Sequence, residues 1–295
     1  MGEKDISEKM LEAYNDVFAD IVNVLVFQGE QVIQENDLTD ASPLSVYKAD
    51  QELHQQERDV SKYWNRANIR LTLLGFENQT AYDPDLPLRV IGYDGAGYRA
   101  QLLDGRKERY PVITLVLYFG TSHWSNRRSL RDALTFPHEV EDRILPLFND
   151  YQMNLYEISY LTEEQIAMFR SDFKLVAEYF VKSRTDKAYQ PSEDELRHVD
   201  AVLKLLSVMT GDNRFEDLLK SPEGGKIKTM SNVLDFREAR GEAKGRAEGE
   251  ARGRILGTVE TCRDLGFSNA DIIKRLMEKF GLSQNEAEAY VLVSA

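Results

Sequence analysis

The chain has 295 residues, 42% of them hydrophobic and 29% charged, which is ordinary for a soluble globular protein of one large domain with appendages, or of two domains. Its formal net charge of −13 argues against a protein wrapped in nucleic acid, and the single Cys262 excludes an intramolecular disulfide framework and fits a reducing cytoplasm. No apolar run approaches the roughly 20 residues that span a bilayer, and Met1-Gly2-Glu3-Lys4-Asp5 lacks the basic-then-apolar form of a signal peptide, so the expectation is a cytoplasmic protein with no membrane partner.

Residues Ile6 to about Gln34 predict a helix, because Leu11, Val17, Phe18, Ile21, Val22, Leu25 and Val26 recur at helical spacing. Ser42-Pro43 marks a turn, and Leu44 to Tyr47 begins a short strand. Two further strands are predicted over Glu57 to Trp64 and over Asn68 to Phe76, with Glu77 ending the second. Neighbouring strands lie about 4.8 Å apart, so pairing these two brings Asp59 and Glu77 within reach of one divalent cation. A loop around Asp83-Pro84-Asp85 leads into a predicted helix from Leu88 to Leu103. Its Gly92, Gly95 and Gly97 imply close packing against a neighbour, or a weaker helix. Tyr110 to Phe119 is almost continuously apolar, the mark of a strand buried on both faces. Met153 to Tyr160 alternates and predicts one more strand.

From Thr162 the pattern turns helical. Thr162-Glu163-Glu164-Gln165 reads as a capping box opening a helix to about Ser183, and Ser192-Glu193-Asp194-Glu195 as the start of another ending near Thr210-Gly211. Ser221-Pro222-Glu223-Gly224-Gly225 has linker composition. Gly241, Gly245, Gly249, Gly253 and Gly257 then recur every four residues, with favourable charge pairs Glu242–Arg246, Glu248–Arg252 and Glu250–Arg254. Each glycine costs about 0.8–1 kcal/mol of helix propensity, so the repeat is either a stripe packed against a second helix or a charged linker. The tail predicts two helices, one opened by Ser268 and stopped by Gly281, the next opened by Ser283. The expected organisation is a domain over 1–185, a helical extension and linker over 186–235, the glycine-repeat helix over 236–261 and a small helical unit over 262–295.

Asp59, then Glu77-x-Gln79, then Leu86-Pro87-Leu88-Arg89-Val90-Ile91-Gly92-Tyr93-Asp94, resembles the recombination-promoting nuclease (Rpn) family of the PD-(D/E)XK nuclease superfamily, whose members often carry a transposase label. The resemblance runs from about Tyr14 to about Tyr160. It implies an α/β, restriction-endonuclease-like core with a mixed central β-sheet flanked by helices, followed by an α-helical C-terminal region. It further implies a Mg²⁺-dependent DNA endonuclease with little sequence preference. Asp59 and Glu77 would be the metal ligands, with the backbone carbonyl of Asn78 as a third. Asp16, in Tyr14-Asn15-Asp16-Val17-Phe18, would be a further metal or water contact. The superfamily's usual Lys is Gln79 here, which can orient water but carries no charge. Arg89 and Tyr93 share a helix face and are candidate phosphate contacts.

Charge is unevenly spread. Leu86 to Asp132 holds eight Lys and Arg against four Asp and Glu, so a basic face sits within an acidic chain. Other chemistries have little support: the four histidines show no metal-ligand spacing, Cys262 has no nearby His, and no phosphate-binding Gly-Lys-Ser/Thr loop is present. The expected partners are DNA and a second copy of the chain, joined through the C-terminal helices. The rival reading is a non-catalytic binding or scaffold protein that keeps the nuclease fold, with Gln79 marking lost catalysis.

Overall fold

The computed structural model describes residues 10–293 except 43, 50, 51, 67, 68, 106, 126, 140, 186–188, 190 and 223; at 44–49, 52–57, 69, 71, 244 and 293 it describes the backbone alone. The chain forms two compact units, Met1–Val233 and Leu234–Ala295. The strands are β1 (Leu38–Asp40), β2 (Leu44–Ala49), β3 (Glu52–Glu57), β4 (Val60–Arg66), β5 (Ile69–Gln79), β6 (Val112–Tyr118) and β7 (Asn154–Glu157). The helices are α1 (Asn15–Leu25), α2 (Leu86–Leu103), α3 (Leu130–Ala133), α4 (Glu141–Ile144), α5 (Glu163–Met168), α6 (Phe173–Thr185), α7 (Val199–Thr210), α8 (Arg214–Leu219), α9 (Met230–Asp264), α10 (Asn269–Phe280) and α11 (Gln284–Val293).

Five strands build a sheet in the order β1-β4-β5-β6-β7, while β2 and β3 pair with each other alone. β1, β4 and β5 run antiparallel in succession, and β5, β6 and β7 run parallel. The fold is therefore α/β with a mixed sheet, as the alternation of strand and helix patterns predicts. β6 lies in the middle of the parallel part and is buried along nearly its whole length, which is what its unbroken apolar run requires.

Alternation along β5 assigns its two faces. Phe76 turns toward α1, where Phe18 stacks on it with ring centroids 4.4 Å apart, and both are fully buried. Leu73 and Glu77 turn toward α2. In α2, Gly97 needs to be small, because a Cβ there would lie 2.9 Å from Val112 Cγ1 and 3.2 Å from Leu73 Cδ2, whereas a Cβ at Gly95 would meet nothing within 4 Å. Gly75 has a related use. A Cβ at that position would sit 2.6 Å from Cδ of Arg58, so the bare backbone lets the Arg58 side chain cross β5 and reach Asp94.

Several predicted helices are shorter than the sequence pattern suggests. The helix expected from Ile6 to Gln34 is α1, with a 3-10 turn at Leu11–Ala13 before it; Ile6 itself lies outside the described residues. Left-handed backbone at Gln28 (φ 53°) and Gly29 (φ 90°) ends the run. Buried Asn23 then ties the returning chain down, accepting from Val32 and Ile33 N–H and donating to Ile33 O. The helix opened by Thr162 is broken into α5 and α6, because Arg170 and Ser171 give their N–H groups to Asp20 Oδ2 at 2.8 and 2.7 Å instead of to helical carbonyls. α7 begins at Val199, seven residues after Ser192, since Asp172 takes the N–H groups of Arg197 and His198. Only Asn154–Glu157 of the last predicted strand pairs, and Ile158–Tyr160 is a 3-10 turn.

In the second unit, α10 and α11 lie where the tail pattern predicts, with Gly281 closing α10 in the left-handed conformation (φ 68°). Ile255, Val259, Cys262, Ile272, Leu276, Ala287 and Val291 form its small core. The glycine repeat is continuous helix, and a Cβ at Gly245, Gly249, Gly253 or Gly257 would meet nothing within 4 Å. Among the described residues no helix is long and apolar enough to cross a membrane.

Candidate active site

The β4–β5 hairpin sets the site. Its register pairs Val60 with Phe76, so Asp59, one residue before β4, falls beside Glu77. Asp59 is exposed, and its Oδ2 accepts the Asn78 N–H at 2.6 Å. Glu77 is buried against α2. Its Oε1 pairs with Arg89 and faces the Tyr93 hydroxyl at 3.4 Å and the Gln79 amide nitrogen at 3.5 Å. Arg89 also reaches Asp83 at 3.0 Å. Glu77 Oε2 is buried with no hydrogen-bond partner among the described residues. The two sequence-predicted carboxylates, Gln79, Arg89 and Tyr93 thus come together.

Asp16 does not join them. Its carboxylate pairs with His198 Nε2 at 3.1 Å, and His198 stacks on Tyr14 with centroids 3.9 Å apart. Glu12, four residues earlier, is the acidic residue coupled to the hairpin. It is completely buried, with no close hydrogen bond to either carboxylate oxygen among the described residues, and its own backbone and the Asn78 side chain offset its charge only in part. The Asn78 side chain lies beside it, on the face of β5 opposite Glu77. Sequence reasoning passes over Glu12 because nothing in its spacing separates a buried acid from a solvated one.

Electrostatics single out the same carboxyls. Burial pushes Glu12 up to about 7, and the charge of Asp59 pushes in the same direction. Burial likewise pushes Glu77 up to about 7, with Asp59 adding to it and Arg89 opposing it. Arg89 is held above its ordinary value by Tyr93 and the Glu77 and Asp83 carboxylates, against the cost of burial. Behind the hairpin, Arg58 and Asp94 form a buried pair at 2.8 Å. Thr114 Oγ1 and the Tyr151 hydroxyl each donate to Asp94 at 2.6 Å. This network joins the residue next to Asp59 to α2, β6 and the chain leading into β7, so it fixes the hairpin relative to the helix that carries Arg89.

Three carboxyls couple through space, two are buried with unpartnered oxygens, and their combined negative charge exceeds what Arg89 offsets. Among the described residues, however, no three His, Cys, Asp or Glu side chains are grouped to hold a metal ion. Glu12 and Glu77 flank β5 on opposite faces, and the Arg89 guanidinium sits on Glu77 Oε1. Compared with known protein families, curated proteins and solved structures, the chain finds no match in any of the three.

Proposed function

We propose that the protein is a Mg²⁺-dependent DNA endonuclease of the recombination-promoting type, with a restriction-endonuclease-like core. One observation carries this reading. The β4–β5 hairpin sets exposed Asp59 beside buried Glu77 at the end of a central strand, and burial together with the Asp59 charge raises the Glu77 carboxyl to about 7, which a bound cation would relieve. Asp59, Glu77 and the Asn78 carbonyl would hold the metal, and Glu12, buried on the opposite face of β5, would add its charge from behind. A divalent cation, when bound, would offset phosphate charge and activate water for attack. Gln79 would orient that water through its amide, and Arg89, already poised on a carboxylate and two-fifths exposed, would turn to the phosphate. The proposal extends to a cytoplasmic homodimer joined through the C-terminal helices. Plasmid nicking with and without Mg²⁺, beside Asp59→Ala, tests it: the variant loses cleavage, and an Asp59→Ala protein with full activity sinks the assignment.

The second reading is a non-catalytic nuclease-fold protein. It draws support from Arg89, which already neutralises one oxygen of Glu77, and from the uncharged Gln79. Calorimetry separates the two, since the enzyme binds a divalent cation and the scaffold does not.

A further inference from the structure

The C-terminal ends of β5, β6 and β7 form one row: Gln79 pairs with Tyr118, and Tyr118 with Glu157. Open α/β sheets bind ligands at this end of their parallel strands. Two strand spacings, about 10 Å, separate Gln79 from Glu157. Glu157 there gathers the Trp124 N–H at 2.7 Å, His123 Nδ1 at 3.2 Å and Arg128 Nη2 at 3.2 Å. The His123 ring stacks on Tyr160 with centroids 3.7 Å apart and planes 27° from parallel. The Arg184 guanidinium lies 4.0 Å from the same Tyr160 centroid. Two groups so close to one ring centre occupy its opposite faces, so imidazole, phenol and guanidinium form a single pile. The pile is fixed from below: the Tyr160 hydroxyl donates to Thr121 O at 2.6 Å, and Arg184 Nε to Ser159 O at 2.9 Å. Its top is open, because the His123 side chain is 70% exposed.

We propose that this pile is a stacking ledge for a base of an unpaired DNA strand whose backbone runs past Asp59 and Glu77. The inference rests on the nuclease reading for the path of the strand, not for the stacking itself. A flat ring face accepts any base. Arg128, half exposed and paired with Glu157, stands beside it within the positively charged stretch from Leu86 to Asp132, and would turn to a phosphate. A ledge of this kind discriminates by strandedness: in duplex DNA the base faces are already stacked on their neighbours, whereas an unpaired base is free to settle on His123. The separation from Gln79 corresponds to about three stacked nucleotide steps of roughly 3.4 Å, so one short strand reaches both places.

The test is binding without cleavage. Fluorescence anisotropy in EDTA compares a labelled oligothymidine with a labelled duplex of the same length. His123→Ala weakens oligothymidine binding by roughly 5- to 150-fold and leaves duplex binding unchanged, whereas His123→Phe, which keeps a ring but not the bond to Glu157, retains it. His123 is exposed, so both variants fold, which circular dichroism checks. A His123→Ala protein that binds oligothymidine as the wild type does, or that loses both DNA forms equally, overturns the ledge. If plasmid nicking fails while the His123 dependence holds, the ledge stands and the catalytic reading falls.

Discussion

Glu12 offers a direct measurement of the charge stored in the site. The perturbation is Glu12→Gln, which keeps the shape of the side chain and removes its ionisation. Burial raises the folded-state value from 4.5 to about 7, while the unfolded chain keeps the ordinary one. Below about 4.5 both states are protonated and ionisation costs nothing. As pH rises toward 7 the unfolded state ionises first, so the wild type loses stability across that window and stays at its lowest level above it. A shift of roughly 2.5 units corresponds to about 3 kcal/mol, nearly all of it present at pH 8 and less than about 1 kcal/mol at pH 5. The variant escapes that loss. In urea denaturation from pH 5 to pH 8, Glu12→Gln should therefore become progressively more stable than the wild type, by about 2 kcal/mol over the range. Saturating Mg²⁺ should narrow the gap by stabilising the ionised wild type. A difference between the two proteins that stays flat with pH would refute the argument that Glu12 ionises while buried beside Asp59.

Other expectations can be checked separately. Gln79→Lys keeps or raises plasmid cleavage by placing a charge beside the phosphate, whereas Gln79→Leu loses it; a Leu variant as active as the wild type leaves Gln79 without a chemical role. Gly95→Ala gains about 0.8–1 kcal/mol of helix propensity in open space, while Gly97→Ala falls behind it by about 1–3 kcal/mol because its Cβ meets Val112, a contrast that paired thermal melts would detect. Leu at Gly245, Gly249 and Gly253 together holds or raises helix content by circular dichroism and removes the dimer by light scattering; an unchanged mass discards the packing stripe.

Four strands of the central sheet are legible because they carry their own signal, such as branched residues in β5 and an unbroken apolar run in β6, whereas three-residue β1 has no pattern of its own and the strand predicted from Leu44 pairs outside this sheet. The Asp59–Glu77 pairing followed from placing two such strands side by side. Helix limits were not legible, because tertiary hydrogen bonds set them. Asp20 takes N–H groups from a segment about 150 residues away, and Asp172 stops the turn that the Ser192 pattern predicts. No local pattern carries that information. The same holds for Glu12 and Arg58. Their identities are visible in the sequence, but their burial depends on Asn78, Gly75 and Asp94, which only the folded chain brings close.

Arg58 and Glu77 use burial in opposite ways. Arg58 is a buried charge whose partner Asp94 is itself held by two hydroxyl donors, so the pair acts as a brace, although burial still holds Arg58 below its ordinary value. Glu77 and Glu12 are less fully compensated: three of their four carboxylate oxygens lack a close hydrogen bond among the described residues, and Arg89 holds the fourth. A fold that can satisfy Asp94 so thoroughly, on the same helix that faces Glu77, has the means to satisfy Glu77 as well. Leaving Glu77 short costs stability at neutral pH, and residues held at such a cost cluster where a ligand restores the balance. The arrangement therefore separates a brace, built from Arg58, Asp94, Thr114 and Tyr151, from a strained group of acids, Asp59, Glu77 and Glu12. Arg58→Met should accordingly destabilise the fold by about 3–5 kcal/mol, because it strands Asp94 in the interior, whereas Glu77→Gln should not.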